Sequence, residues 1–212
     1  MSMQSAGSIG EAFVQPFGRP RWLGRMVLQG LVAWIPVLGQ IALSGWMMQT
    51  IDGYRGGRRD LPRAGFAFSR GVGVFFALLV YDIVLSLPGS ALTAAAGASR
   101  SAELDAFGNL LHTLGWLLLV FLSPAVILLV YREGFAAGFD FGRLWRMVSG
   151  SNLGSTVVAA VVVAAAVIIA GVGALFCLVV TLFTLPYAQA VIAGAVTWYE
   201  RAAVPDPRGT PA

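Results

Sequence analysis

Lysine is missing from the sequence, cysteine and histidine occur once each, and only 11% of the 212 residues carry charge. A soluble domain is usually about a quarter charged. One cysteine excludes an intrachain disulfide and a cysteine zinc site; Cys177, inside an apolar run, is expected to be a small buried hydrophobe. One histidine and ten acids leave little for acid–base chemistry. The sequence also lacks a Gly-rich phosphate loop beside a strand, a paired acidic metal motif, and a Ser or Cys nucleophile with a positioned base. No enzymatic activity, cofactor or metal is therefore expected. All fourteen basic residues are arginine and the net charge is +4. That balance suits anionic lipid head groups rather than nucleic acid, for which no basic stripe or aromatic platform is present. Met1 to Gly18 has no apolar h-region behind basic residues, so no cleaved leader is expected.

What the sequence has instead is 58% hydrophobic residues gathered into long blocks: Val27 to Ile51, Gly71 to Leu87, Leu110 to Tyr131, and Leu153 to Trp198. A crossing takes roughly 20 residues, so each block can span a membrane and the last can do so twice. The expected fold class is all-α, a polytopic helical membrane protein.

The first block contradicts a simple crossing. "WIPVLGQ" puts Pro36 and Gly39 at its centre, where proline removes a backbone donor and clashes with the preceding turn. Arg19, Arg21 and Arg25 precede the block; Arg55, Arg58, Arg59 and Arg63 follow it. A spanning block leaves Arg19, Arg21, Arg25 and Arg100 outside, whereas a re-entrant hairpin turning at Pro36 to Gly39 leaves only Arg100 there. The count favours the hairpin over a fifth, kinked span. The prediction is four spans, 71–87, 110–131, 153–170 and 174–198, plus a broken element at 27–51. Pro88-Gly89 is expected to end the first span, 92–109 to form the outer loop, and Gly171-Val172-Gly173 to turn the last pair.

Around these blocks lie short amphipathic stretches. Ser8 to Glu11 has capping-box spacing, with Ile9, Phe13 and Phe17 at helical intervals, interrupted at Pro16. Pro20 opens a second start through Arg21, Trp22 and Arg25, completing an interfacial segment over 8–26. In the inner loop Phe141, Leu144, Trp145 and Val148 share one helical face, with Arg143 and Arg146 off it. That pattern fits a helix lying in the membrane surface, or one packed under the bundle by the same face. Trp198, Tyr199 and Arg201 mark the inner interface, and the Pro-rich 202–212 reads as a disordered tail.

Few polar residues fall within the spans. Asp82 sits in "FFALLVYDIVLSLPG", about 8 Å below the span's expected end at Leu87. A carboxylate at mid-bilayer costs roughly 2.5–3.5 kcal/mol, so it must be protonated, paired or wet. His112 lies at a comparable depth on the next span, which makes an Asp82–His112 contact one expectation. The alternative is a protonated Asp82 bonded to Tyr81, Ser86 or a backbone carbonyl. A faint repeat relates "IPVLGQIALSG" to "LPYAQAVIAG", pairing Pro36 with Pro186 and Gln40 with Gln189. Pro186 is thus expected to break its helix, and the two glutamines either bond between helices or line a site beside opened backbone.

The strings "PFGRPRWLGRMVLQGLVAWIPVLGQIALSGW" and "GYRGGRRDLP", then "YREGFAAGFDFGRLWRMVSGSNLG" and "LFTLPYAQAVIAG", resemble the domain of unknown function 4013 family over roughly Ser8 to Arg201. The chain departs from it after Leu61-Pro62. There the family tends to carry a tryptophan and acidic residues, and "LPRAGFAFSRG" has neither. The resemblance implies a prokaryotic integral membrane protein of uncharacterised activity and carries no catalytic residues with it. The functional expectation is a non-enzymatic scaffold or partner-binding module of the inner membrane, with cytoplasmic termini. Its partners would be a protein and anionic lipids at Arg21, Trp22, Arg25, Arg143, Trp145 and Arg146. The alternative is a small transporter or channel with a polar site around Asp82 and the Pro-broken helices.

Overall fold

Among the described residues proline interrupts a helix at Pro16 and Pro36 but not at Pro88, Pro124 or Pro186. In a computed structural model describing residues 9–17, 21–58, 60–176 and 178–203, α2 (Trp22–Ala33) stops before Pro36 and α3 (Leu38–Arg55) starts after it. Between them Val37 takes φ 61° and ψ −59°, a backbone that a β-branched residue rarely adopts. Gly39 then lets α3 pass against the carbonyls of Val32 and Ala33. The result is a tight helical hairpin, preceded by the short α1 (Glu11–Val14) and a 3₁₀ turn through Pro16.

Four longer helices follow: α4 (Phe68–Ser99), α5 (Ala102–Glu133), α7 (Leu153–Phe176) and α8 (Leu178–Ala203). Each is long and apolar enough to cross a membrane. The eight-residue α6 (Phe141–Val148) joins the two pairs, flanked by 3₁₀ turns. Asp140 caps α6 by accepting from the Arg143 amide.

Three predicted boundaries need correction. α4 runs through Pro88-Gly89 to Ser99, and almost all of the stretch read as an outer loop is helical. The turn is only Arg100-Ser101: Arg100 takes the left-handed conformation and the Ser101 hydroxyl accepts from the Leu104 amide. The reason is close packing, for a Cβ on Gly89 would lie 2.5 Å from the His112 nitrogen. Contact at backbone distance along the α4–α5 hairpin holds the helix through a residue that cannot donate. Likewise, α7 continues through Gly171 and Gly173 to Phe176, because Gly173 receives the Thr184 side chain from α8. α8 in turn passes through Pro186, which is buried inside it. The expectations for Ser8, Pro20, Cys177 and the tail beyond Ala203 fall outside the described residues.

The core sits at one end of the bundle. The last turns of α5 (Ala125 to Val130) and of α8 (Ala188 to Val196) are buried against α3, α4 and α7. α3 reaches α4 through a glycine contact: a Cβ on Gly71 would lie 1.9 Å from the Ile41 carbonyl oxygen. Farther along, α4 and α5 expose Ile83, Val84, Leu87, Leu110, Leu114 and Leu117. α7 and α8 do the same with Ile168, Val172 and Val179.

Candidate functional site

Where α3, α4, α5 and α8 meet, each apolar run ends on tyrosine, arginine and an acid: Asp52-Gly-Tyr54-Arg55, Tyr131-Arg132-Glu133 and Tyr199-Glu200-Arg201. The helices bring these endings together. Glu200, only 8% exposed, places a single oxygen, Oε1, where Arg55 Nη2 donates at 2.7 Å. Arg132 donates to the same oxygen through Nε at 2.9 Å and Nη2 at 2.6 Å. The Arg55 guanidinium also lies 5.0 Å over the Tyr131 ring, in cation–π geometry. Asp52 accepts from the Tyr131 hydroxyl and from Arg70 at the start of α4. Two carboxylates thus tie together four helices that are far apart in sequence. The Tyr131 hydroxyl and the Glu200 carboxylate outweigh partial burial and raise the Arg55 pKa above its ordinary value. Tyr54, behind the network, is buried with no hydrogen-bond partner for its hydroxyl among the described residues, and burial drives its pKa far above the ordinary 10.0.

On the outer side of this network a cleft of about 740 Å³ opens, lined by Asp52, Arg55, Arg70, Tyr131 and Arg132, and by Met48, Val72 and Phe135 among its apolar walls. A second cleft, of about 490 Å³, lies beyond Arg132 and is lined by Glu133, Arg143, Arg146 and Asn152. No group of acidic, His or Cys side chains among the described residues has the arrangement of a metal site.

The residues singled out from sequence lie elsewhere and do not converge. Asp82 is exposed on α4 and has no hydrogen bond or ion pair among the described residues. The local partners considered for it are engaged otherwise, Tyr81 donating to the Gly138 carbonyl at 2.8 Å and Ser86 to the Ile83 carbonyl. His112, exposed on α5, is level with Gly89, about 10 Å along α4 from Asp82 at 1.5 Å per residue. The structure therefore does not pair Asp82 with His112. Gln40 is exposed and donates to the Ala33 carbonyl at 3.3 Å, bridging the hairpin break, while Gln189 is half-buried in α8. The buried glutamine is one not singled out: Gln29 accepts from the Gly65 amide, and its Nε2 has no partner among the described residues.

The residues expected at the membrane surface divide into two kinds. Trp22 meets Phe17 and Phe183 edge to face, and Arg25 donates to the Leu61 carbonyl, so both are built into the fold. Arg21 is exposed. On α6 the apolar face is split: Leu144 and Val148 are buried, whereas Phe141 and Trp145 stand 68% and 71% exposed beside Arg143 and Arg146. Arg143 pairs with Glu133 and Asp140.

Sequence reading missed the Asp52–Glu200 network. The recurring Tyr/Arg/acid endings were its available signal, but only the fold shows that they share partners. No curated protein and no solved structure matches the chain. A family model does match, over residues 28–179, and on that match the chain belongs to the family described as protein of unknown function (DUF4013).

Proposed function

We propose that this protein is a non-enzymatic membrane module that holds a protein partner at the charged end of its bundle. In this reading α2 and α3 form a re-entrant hairpin, and α6 lies along the membrane surface. Both termini and the Tyr/Arg/acid endings face the cytoplasm. The observation that carries the proposal is that Asp82, His112, Gln40 and Gln189 do not meet among the described residues, while the core between the long helices is mostly apolar. A transporter needs polar groups gathered at the depth of its substrate. The orientation is supported by Arg100, the only arginine at the α4–α5 turn, because cytoplasmic loops carry the excess of Arg and Lys. The surface supported for docking is the exposed pair Phe141 and Trp145 with their arginine neighbours, since aromatics and Arg dominate binding hot spots.

The test is site-specific photocrosslinking from position 145 in native membranes. One adduct of defined mass, lost in Phe141→Ser, is expected. Solute flux through reconstituted vesicles that Asp82→Asn abolishes, without any protein adduct, would establish the transporter instead.

A further inference from the structure

The 740 Å³ cleft has the composition of an amphiphile site rather than of a protein groove. Three guanidiniums line it, those of Arg55, Arg70 and Arg132, against one lining carboxylate, Asp52; counting Glu200 behind it, the cluster still carries one net positive charge. Each guanidinium offers five N–H donors. The hydrogen bonds to Glu200 and Asp52 use one from Arg55, one from Arg70 and two from Arg132. The three side chains are 40%, 56% and 35% exposed, so donors remain on the open side. Arg70 stands in the first turn of α4 and Arg132 in the last turn of α5, so the two guanidiniums share one end of the α4–α5 hairpin. Anions bind at such forks because guanidinium geometry matches two phosphate oxygens at once.

The wall of the cleft is apolar and continues along α4. Val72 lines the cleft and starts an exposed apolar strip along α4: Val72, Phe76, Val80, Ile83 and Leu87, spaced by four, four, three and four residues. A soluble phosphate would have no use for this strip, whereas an acyl chain lies along it while its head group stays at the arginines. We propose that the cleft holds the phosphate of one anionic phospholipid between Arg55, Arg70 and Arg132, with an acyl chain laid on the α4 strip. The assignment depends on α4 and α5 being spans and is independent of the partner-holding role.

The experiment uses full-length protein purified in mild detergent, with phosphatidylglycerol, phosphatidylcholine or inorganic phosphate as separate probes. Bound lipid is counted by native mass spectrometry, and thermal midpoint is followed in parallel. Retention of one phosphatidylglycerol per chain is expected, with a raised midpoint; phosphatidylcholine and phosphate should give neither. Arg70→Gln should weaken retention about tenfold, the worth of one charge-assisted hydrogen bond. Arg70→Lys should recover part of it, and Arg100→Gln at the opposite end should change nothing. Val72→Glu removes no polar contact of the native fold and sets a carboxylate in the cleft mouth, so it tests the site even where Arg70→Gln folds poorly. Equal retention in Arg70→Gln, Val72→Glu and Arg100→Gln overturns the site and leaves only annular lipid. A midpoint raised as much by inorganic phosphate as by phosphatidylglycerol overturns the lipid assignment in favour of a free phosphate.

Discussion

The two ends of the bundle handle charge in opposite ways. At one end Glu200 is nearly enclosed and takes three N–H donors from two arginines, and Asp52 joins α3 to α4 and α5. Toward the other end Asp82, Asn109 and His112 all face outward from a helical hairpin whose interior is glycine-on-backbone contact. A buried carboxylate has to be paired to be tolerated, so the first end is a fixed structural network. Among the described residues the exposed groups of the second end join no two helices; Asn109 donates only within α5, to Asp105.

Three substitutions press on this difference. The largest effect is expected from Gly71→Leu. Its Cβ would meet the Ile41 carbonyl oxygen at 1.9 Å, and backbone cannot yield as a side chain does. Separation of α3 from α4 should cost about 3 kcal/mol or more, read as loss of the cooperative thermal transition in detergent. Next comes Glu200→Ala, which strands Arg55 and Arg132 beside an apolar core. A fully buried pair would cost about 3–5 kcal/mol; with both guanidiniums more than a third exposed, about 2 kcal/mol is expected. Asp82→Asn in the same assay should stay within about 0.5 kcal/mol. Equal losses at the two sites would erase the contrast between the ends.

Tyr54→Phe acts in the opposite direction: it removes a buried hydroxyl that has no partner among the described residues and should leave stability unchanged or raised by about 1 kcal/mol. Its pH signature is more telling. Burial raises the folded pKa of Tyr54 above 10.0, so its stabilisation is complete below that value and is lost as the unfolded chain ionises above it. Wild-type stability should therefore fall above about pH 10, and Tyr54→Phe should flatten the fall.

Much of the fold was legible. Long apolar blocks with few charges dictate helices of spanning length, and "WIPVLG" places the break between α2 and α3 where it lies. The endings were not legible at Pro88 and at Gly171 to Gly173, where local propensity argued for a stop. Gly89 against His112, and Gly173 against Thr184, supply contact that outweighs it. The same residue type therefore reads differently at Pro36, which is exposed in the turn between α2 and α3, and at Pro186, which is enclosed within α8. For the candidate site, composition ranked Asp82 first because an isolated carboxylate in an apolar run is conspicuous. Asp52, Tyr131 and Glu200 sit at run ends, where charge is ordinary.

By itself, then, the sequence determined the solvent in which this chain folds, the number of long helices and the break between α2 and α3. Those follow from transfer free energies and backbone chemistry, which act residue by residue. Tertiary structure decided which carboxylates are shared, which face of α4 is left open and where the three arginines gather. Residues 52, 70, 132 and 200 have no periodic relation along the chain, and only close packing of α3, α4, α5 and α8 brings their charges within a few ångströms of one another.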